Sequence, residues 1–225
     1  MKDHLTEIAF VLDRSGSMQS MTEHAIAGFN AFLRDQQQCE GEARLTLVLF
    51  DDQYEVPCAS LPVSEVVELD TTTFVPRGST ALLDAIGRTV TELGARLAAM
   101  PEADRPGQVI VAILTDGFEN ASKEFTWRKI QGMIRHQEQN YSWKFLFLGA
   151  NADSIASATQ MGISAANVAQ YVHDAAGYKS SSSSFSRKVS ALRRAKMDPN
   201  ASQADVDKPL EEILREEDER ERRES

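Results

Sequence analysis

Asp13, Ser15 and Ser17 stand at alternate positions just after an apolar run, Ile8 to Leu12, with Gly16 between the two serines. Read as a buried strand, that run delivers all three side chains to a loop at its carboxyl end. Gly16 admits a backbone geometry that a side chain would resist, and alternation points the three oxygen-bearing groups roughly the same way. One carboxylate and two neutral hydroxyls suit a small hard cation, and Mg2+ accepts such donors while keeping part of its water. Asp and Ser are also ordinary turn residues, so on its own the pattern fits a plain turn equally well.

Two later stretches shift the balance. Gly78-Ser79-Thr80 precedes an amphipathic pattern, and Val109 to Leu114 is a second apolar run, ending in Thr115-Asp116-Gly117. Singly, Ser15, Ser17 and Thr80 read as helix caps and Asp116 as a turn residue. Taken in order, the Asp13-x-Ser15-x-Ser17 loop, a mid-chain Thr80 and a strand-terminal Thr-Asp-Gly resemble the metal-ion-dependent adhesion site of von Willebrand factor type A (VWA) domains. The resemblance runs from about Leu5 to about Met197, and all five family positions are filled.

It implies that Ser15, Ser17 and Thr80 touch the metal directly, while Asp13 and Asp116 act mostly through bound water. It implies Mg2+, with Mn2+ or Ca2+ as alternatives. Neutral hydroxyls around a dication leave its charge poorly neutralised, so an Asp or Glu carboxylate from a protein partner would complete the coordination. The resemblance further suggests an intracellular bacterial or phage relative, working beside an AAA+ ATPase or another component of a multi-protein assembly. Residues expected around the site's rim are Asp51, Asp52, Arg77, Phe118, Glu119, Asn120, Asn151 and Asp153. His4, His24, His136 and His173 lack ligand spacing and read as solvent or packing residues.

Two other functions compete. A Mg2+-dependent phosphoryl-transfer enzyme would use Asp13 as nucleophile and Asp116 as metal ligand. Phosphatases of the haloacid dehalogenase type usually carry a second Asp two positions later, where this chain has Ser15, a poor acid or base near neutral pH. No glycine-rich phosphate loop with a Lys is present either. A nucleic-acid-binding protein would use Arg187, Lys188, Arg193, Arg194 and Lys196 on one face of the last helix. Against it, cations are favoured near helix C-termini, and an acidic segment follows directly.

The chain has 225 residues, 42% hydrophobic and 26% charged, which fits one buried α/β domain. Of the net charge of -10, the segment from Asp198 to Ser225 holds -6, from 11 acids and 5 bases. The body is therefore only mildly acidic, which argues against general phosphate-backbone binding. Cys39 and Cys58 are the only cysteines and read as free thiols. The start, Met1-Lys2-Asp3-His4, reads as neither a signal peptide nor a membrane span, so a cytoplasmic protein is expected.

The elements that must position these residues follow from periodicity. Strands are expected at Leu5–Leu12, Arg44–Phe50, Tyr54–Val56, Val109–Leu114, Lys144–Leu148 and Asn167–Val172. Helices are expected from Thr22 to Gln38, from Thr80 through Leu97, over Phe125 to Ile134, at Ile155–Met161, and around Phe185 to Leu192. Their alternation predicts a Rossmann-like, open, mainly parallel six-stranded sheet with helices on both faces, and the close pair at Phe50 and Tyr54 requires one antiparallel edge strand. Residues 1–197 are expected to form the VWA domain. Residues 198–225 read as a charge-rich tail, disordered or marginally helical, with Pro199 and Pro209 bracketing a polar link and a partner-binding helix as the second reading. Ser180–Ser184 reads as a flexible turn capping the last helix, with phosphorylation as its sharper alternative.

Overall fold

The computed structural model describes every residue except Pro199, Ala201 and Ser225, and only the backbone of Glu224. Six strands form one sheet: β1 (Lys2–Asp13), β2 (Glu42–Phe50), β3 (Tyr54–Pro62), β4 (Pro106–Thr115), β5 (Lys144–Gly149) and β6 (Val168–Gln170). Their order is β3-β2-β1-β4-β5-β6, parallel throughout except for β3 at one edge. The expected fold class is what the chain adopts. β1 is central and buried from Leu5 to Asp13, and its run from Ile8 to Leu12 is apolar on both faces, as a strand covered on both sides must be.

Alternation along β1 builds two cores. Ile8, Phe10 and Leu12 face α1 (Thr22–Gln38), α5 (Ala175–Met197) and α7 (Leu210–Glu224). Ala9 and Val11 face α2 (Leu82–Ala99), α3 (Trp127–Tyr141) and α4 (Ala152–Gln160). Phe10 anchors the first core, with its ring centroid 5.4, 4.8 and 5.9 Å from those of Phe29, Phe32 and Phe185.

Several expectations need correction. β3 runs on through Pro57 to Pro62; an edge strand tolerates proline where the missing N–H faces away from the ladder, and register shifts against β2 absorb the rest. α2 starts at Leu82 rather than Thr80, and α3 at Trp127, leaving Phe125 in the preceding loop against Gly87. Ser180–Ser184 is no turn. It lies inside the 23-residue α5, whose cap is Asp174, accepting from the Gly177 N–H at 2.7 Å. All of these serines but the half-buried Ser183 are buried, and Ser182 packs where bulk does not fit: a Cβ on Gly28 of α1 would overlap its hydroxyl.

The segment after Met197 also departs from expectation. Its described residues form a short α6 (Ala204–Asp207) and α7, and Leu210, Ile213 and Leu214 are buried. Apolar residues at that spacing make one helical stripe, and α5 supplies the surface it needs. Pro199 lies outside the described residues.

Of the five cations expected on a basic face of α5, three make internal contacts, while Arg194 and Lys196 are exposed. Lys188 is buried and donates to the carbonyls of Asp205, Val206 and Lys208 at 3.1, 2.8 and 2.7 Å. Arg187 pairs with Asp205, Glu216 and Glu217. Arg193 is buried and donates to the carbonyls of Gln36, Cys39 and Gly41, at the end of α1 and the turn into β2. No helix among the described residues is long and apolar enough to cross a membrane.

Candidate metal centre

β1 and β4 lie side by side in parallel, Leu12 opposite Leu114, so their carboxyl ends deliver Asp13 and Asp116 to one crevice. Asp13 is fully buried and both its oxygens are engaged. The Ser15 N–H donates to Oδ1 at 2.7 Å, and the Thr115 hydroxyl donates to Oδ2 at 2.5 Å. The Ser17 hydroxyl donates to Asp116 Oδ1 at 2.9 Å, and the Ser15 and Ser17 hydroxyls are 3.1 Å apart.

Thr80 arrives on the loop before α2. Its N–H donates to Asn120 Oδ1 at 2.9 Å, and its carbonyl accepts from the Asn120 N–H at 3.0 Å. Gly16 N–H donates to Gly78 O at 3.1 Å, tying this loop to the serine loop. Gly117 closes the cluster: a Cβ there would overlap Thr80 Oγ1 and come within 3.2 Å of Asp13 Oδ2. The backbone thus leaves a cradle lined by oxygens. All five residues expected from the sequence, Asp13, Ser15, Ser17, Thr80 and Asp116, come together here.

Their electrostatics ask for a cation. Burial, and then the neighbouring Asp116, pushes the Asp13 carboxyl up to about 6. Burial likewise raises Asp116, opposed by Ser17 and His173. Two carboxylates and three hydroxyls form an all-oxygen donor set that fits a hard divalent ion. Among the described residues no group of three or more His, Cys, Asp or Glu could hold a metal. Any ion in this crevice therefore depends on the hydroxyls.

Of the residues expected around the rim, only Asp51 is buried; most of the others are exposed. Asp51 is fully buried and accepts from Arg14 Nε at 3.1 Å and Arg77 Nε at 2.9 Å, bracing the loops from below. Glu119 and Ser122 cap α2, accepting from the N–H groups of Leu83 and Asp84 at 2.9 and 3.0 Å. Thr80 is thereby left free of that task. Asn151 caps α4 and donates to the Asp116 carbonyl at 2.8 Å. Asp52, Arg77, Phe118, Asn120 and Asp153 are exposed.

One neighbour escaped the sequence reading. His173, which follows β6, places Nε2 3.2 Å from Asp116 Oδ2. A lone histidine far along the chain carries no spacing signal; only the strand order brings it here.

No family model matches the sequence, and no curated protein matches it. Solved structures do match. The von Willebrand factor type A protein from Catenulispora acidiphila shares 14% identity over 84% of this chain and 43% of its own, with a TM-score of 0.53. The pilus adhesin SpaC from Lactobacillus rhamnosus GG, in an open conformation, shares 12% over 85% and 30%, with a TM-score of 0.61. Manganese-loaded TRAP from Plasmodium vivax shares 13% over 76% and 70%, with a TM-score of 0.54. This chain spans under half the length of the first two. At such identities the likeness is one of fold, and the fold is VWA-like.

Proposed function

We propose that this chain is a divalent-metal-dependent protein-interaction module, with Asp13, Ser15, Ser17, Thr80 and Asp116 holding Mg2+. The observation that carries this reading is the meeting of Ser15, Ser17 and Asp116 through contacts of 3.1 and 2.9 Å, with the Thr80 hydroxyl against Gly117. A bound dication would offset the burial and the neighbouring Asp116 charge that raise Asp13, and would present its remaining positive charge outward. The recognised group is an Asp or Glu carboxylate on a protein partner, which completes the coordination. The partner class that suits this reading is an AAA+ ATPase or another component of a multi-protein assembly, met in the cytoplasm, where Cys39 and Cys58 stay as free thiols.

The module is not an enzyme in this reading. Ser15 occupies the position where a phosphatase of the haloacid dehalogenase type needs an acid, so turnover of an aryl phosphate with Mg2+ is expected to be absent. Nucleic-acid binding is the weaker reading, because Arg187, Lys188 and Arg193 are spent on internal contacts and only Arg194 and Lys196 of that face are exposed.

Titration calorimetry with Mn2+ tests the site. One ion is expected to bind wild type and to be lost in Asp13→Ala and Asp116→Ala; unchanged binding in both variants rejects the assignment. Pull-down with and without chelator then tests the partner, whose capture is expected to require the metal.

A further inference from the structure

We propose that His173 is a nitrogen donor to this same centre, making it a mixed oxygen–nitrogen site that favours Mn2+, Co2+ and Zn2+ over Mg2+ and Ca2+. The inference rests on the metal-binding reading above and goes beyond its all-oxygen set. Neighbouring donors on an octahedral ion with bonds near 2.1 Å are separated by about 3 Å. Contacts at that spacing flank Asp116 on both sides: Ser15 Oγ to Ser17 Oγ at 3.1 Å and Ser17 Oγ to Asp116 Oδ1 at 2.9 Å on one, and Asp116 Oδ2, its other oxygen, to His173 Nε2 at 3.2 Å on the other. The imidazole thus stands on the opposite side of the Asp116 carboxylate from the serine loop, within reach of an ion that this carboxylate binds.

Its backbone is built to stay there. Tyr171 N–H donates to Gly149 O at 3.0 Å, Asp174 N–H donates to Val172 O at 2.8 Å, and Asp174 caps α5. A side chain on Gly177 would overlap the Val172 carbonyl, so α5 begins hard against the segment that carries His173. The ring is 38% exposed, which leaves it accessible to an ion entering the crevice. Imidazole is a borderline donor that suits later first-row metals, whereas Mg2+ and Ca2+ gain little from it.

The test compares the full chain with His173→Gln and His173→Ala, using the metals alone. Pulsed electron paramagnetic resonance of bound Mn2+ is expected to show imidazole nitrogen modulation in wild type and none in either variant. Competition titrations are expected to show the preference for Co2+ over Mg2+ falling about tenfold or more in both variants, with Mg2+ affinity nearly unchanged. Melting of metal-free wild type and variants checks that all are folded, and the wild-type spectrum needs no variant at all. Mn2+ that binds wild type without nitrogen modulation, or a Co2+/Mg2+ ratio that survives both substitutions, overturns the nitrogen ligand while leaving the five-oxygen site standing. Failure of wild type to bind any of these ions overturns both.

Discussion

Thr80 has its backbone held on both sides by Asn120, while α2 takes its caps from Glu119 and Ser122. Thr80→Val keeps the shape and removes one oxygen. Its cost in stability is expected to stay below about 1 kcal/mol, the scale of a lost cap, while affinity for Mn2+ drops sharply. Parallel melts and titrations separate the two effects, and equal metal affinity would reduce Thr80 to a spacer. Asp13 makes a second prediction. Its carboxyl titrates near 6 in the fold against an ordinary 3.8, so the fold prefers it protonated. That contribution to the metal-free protein is fully present below about pH 4 and is lost as pH rises through 6. Asp13→Asn is therefore expected to melt above wild type in chelator at pH 7.5, by up to about 2 kcal/mol, with the gap closing towards pH 4. Metal reverses the sign, since it needs the ionised carboxylate: Mn2+ affinity of wild type should weaken below pH 6. Asp13, Ser15, Ser17 and Asp116 could be picked out because each follows directly from an apolar run. His173 could not, because a single imidazole has no periodicity and its meeting with Asp116 depends on β6 lying two places from β4.

α5 and α7 are the elements the sequence read least well, and for opposite reasons. Five successive serines have middling helix propensity and look like a linker. Inside α5 three of their hydroxyls return to the helix's own carbonyls, Ser180 to Ala176 at 2.8 Å, Ser181 to Tyr178 at 2.7 Å and Ser184 to Ser180 at 2.6 Å, while the buried Ser182 hydroxyl has no partner among the described residues. Their small size lets α1 approach at Gly28, and Gly28→Ala is expected to cost about 1–3 kcal/mol by overpacking against Ser182. α7 was obscured by its charge, since acids and bases outnumber its three apolar residues. Those three are nonetheless buried, and the charges pair across to α5 and within the segment. Leu210→Ala and Ile213→Ala should each cost about 2–4 kcal/mol, and a chain ending at Met197 should lose about 5 kcal/mol or fail to fold. A truncated chain melting within a few degrees of wild type would mean that α7 contributes nothing to holding the body together. The amphipathic stripes of α1 and α2, by contrast, were plain from spacing alone, because helix and core agree there.

For the molecule as a whole, alternating apolar strands and helices were enough to predict a parallel sheet with one antiparallel edge, since crossover connections permit few other arrangements. Saturating Mn2+ is expected to raise the melting temperature of the full chain, by an amount that grows with the logarithm of metal concentration, because only the folded state assembles the five oxygens. A melt unmoved by metal would show that the crevice does not retain it. Arg193 has a bearing on how the molecule comes into being. The end of α1 and the turn into β2 are synthesised early, yet three carbonyls there wait for a guanidinium more than 150 residues downstream. A nascent chain that holds β1, α1 and β2 therefore lacks the donor for these carbonyls until α5 emerges. Fragments ending before Arg193 should be nicked between Gln36 and Arg44 during limited digestion, whereas the finished chain is expected to resist.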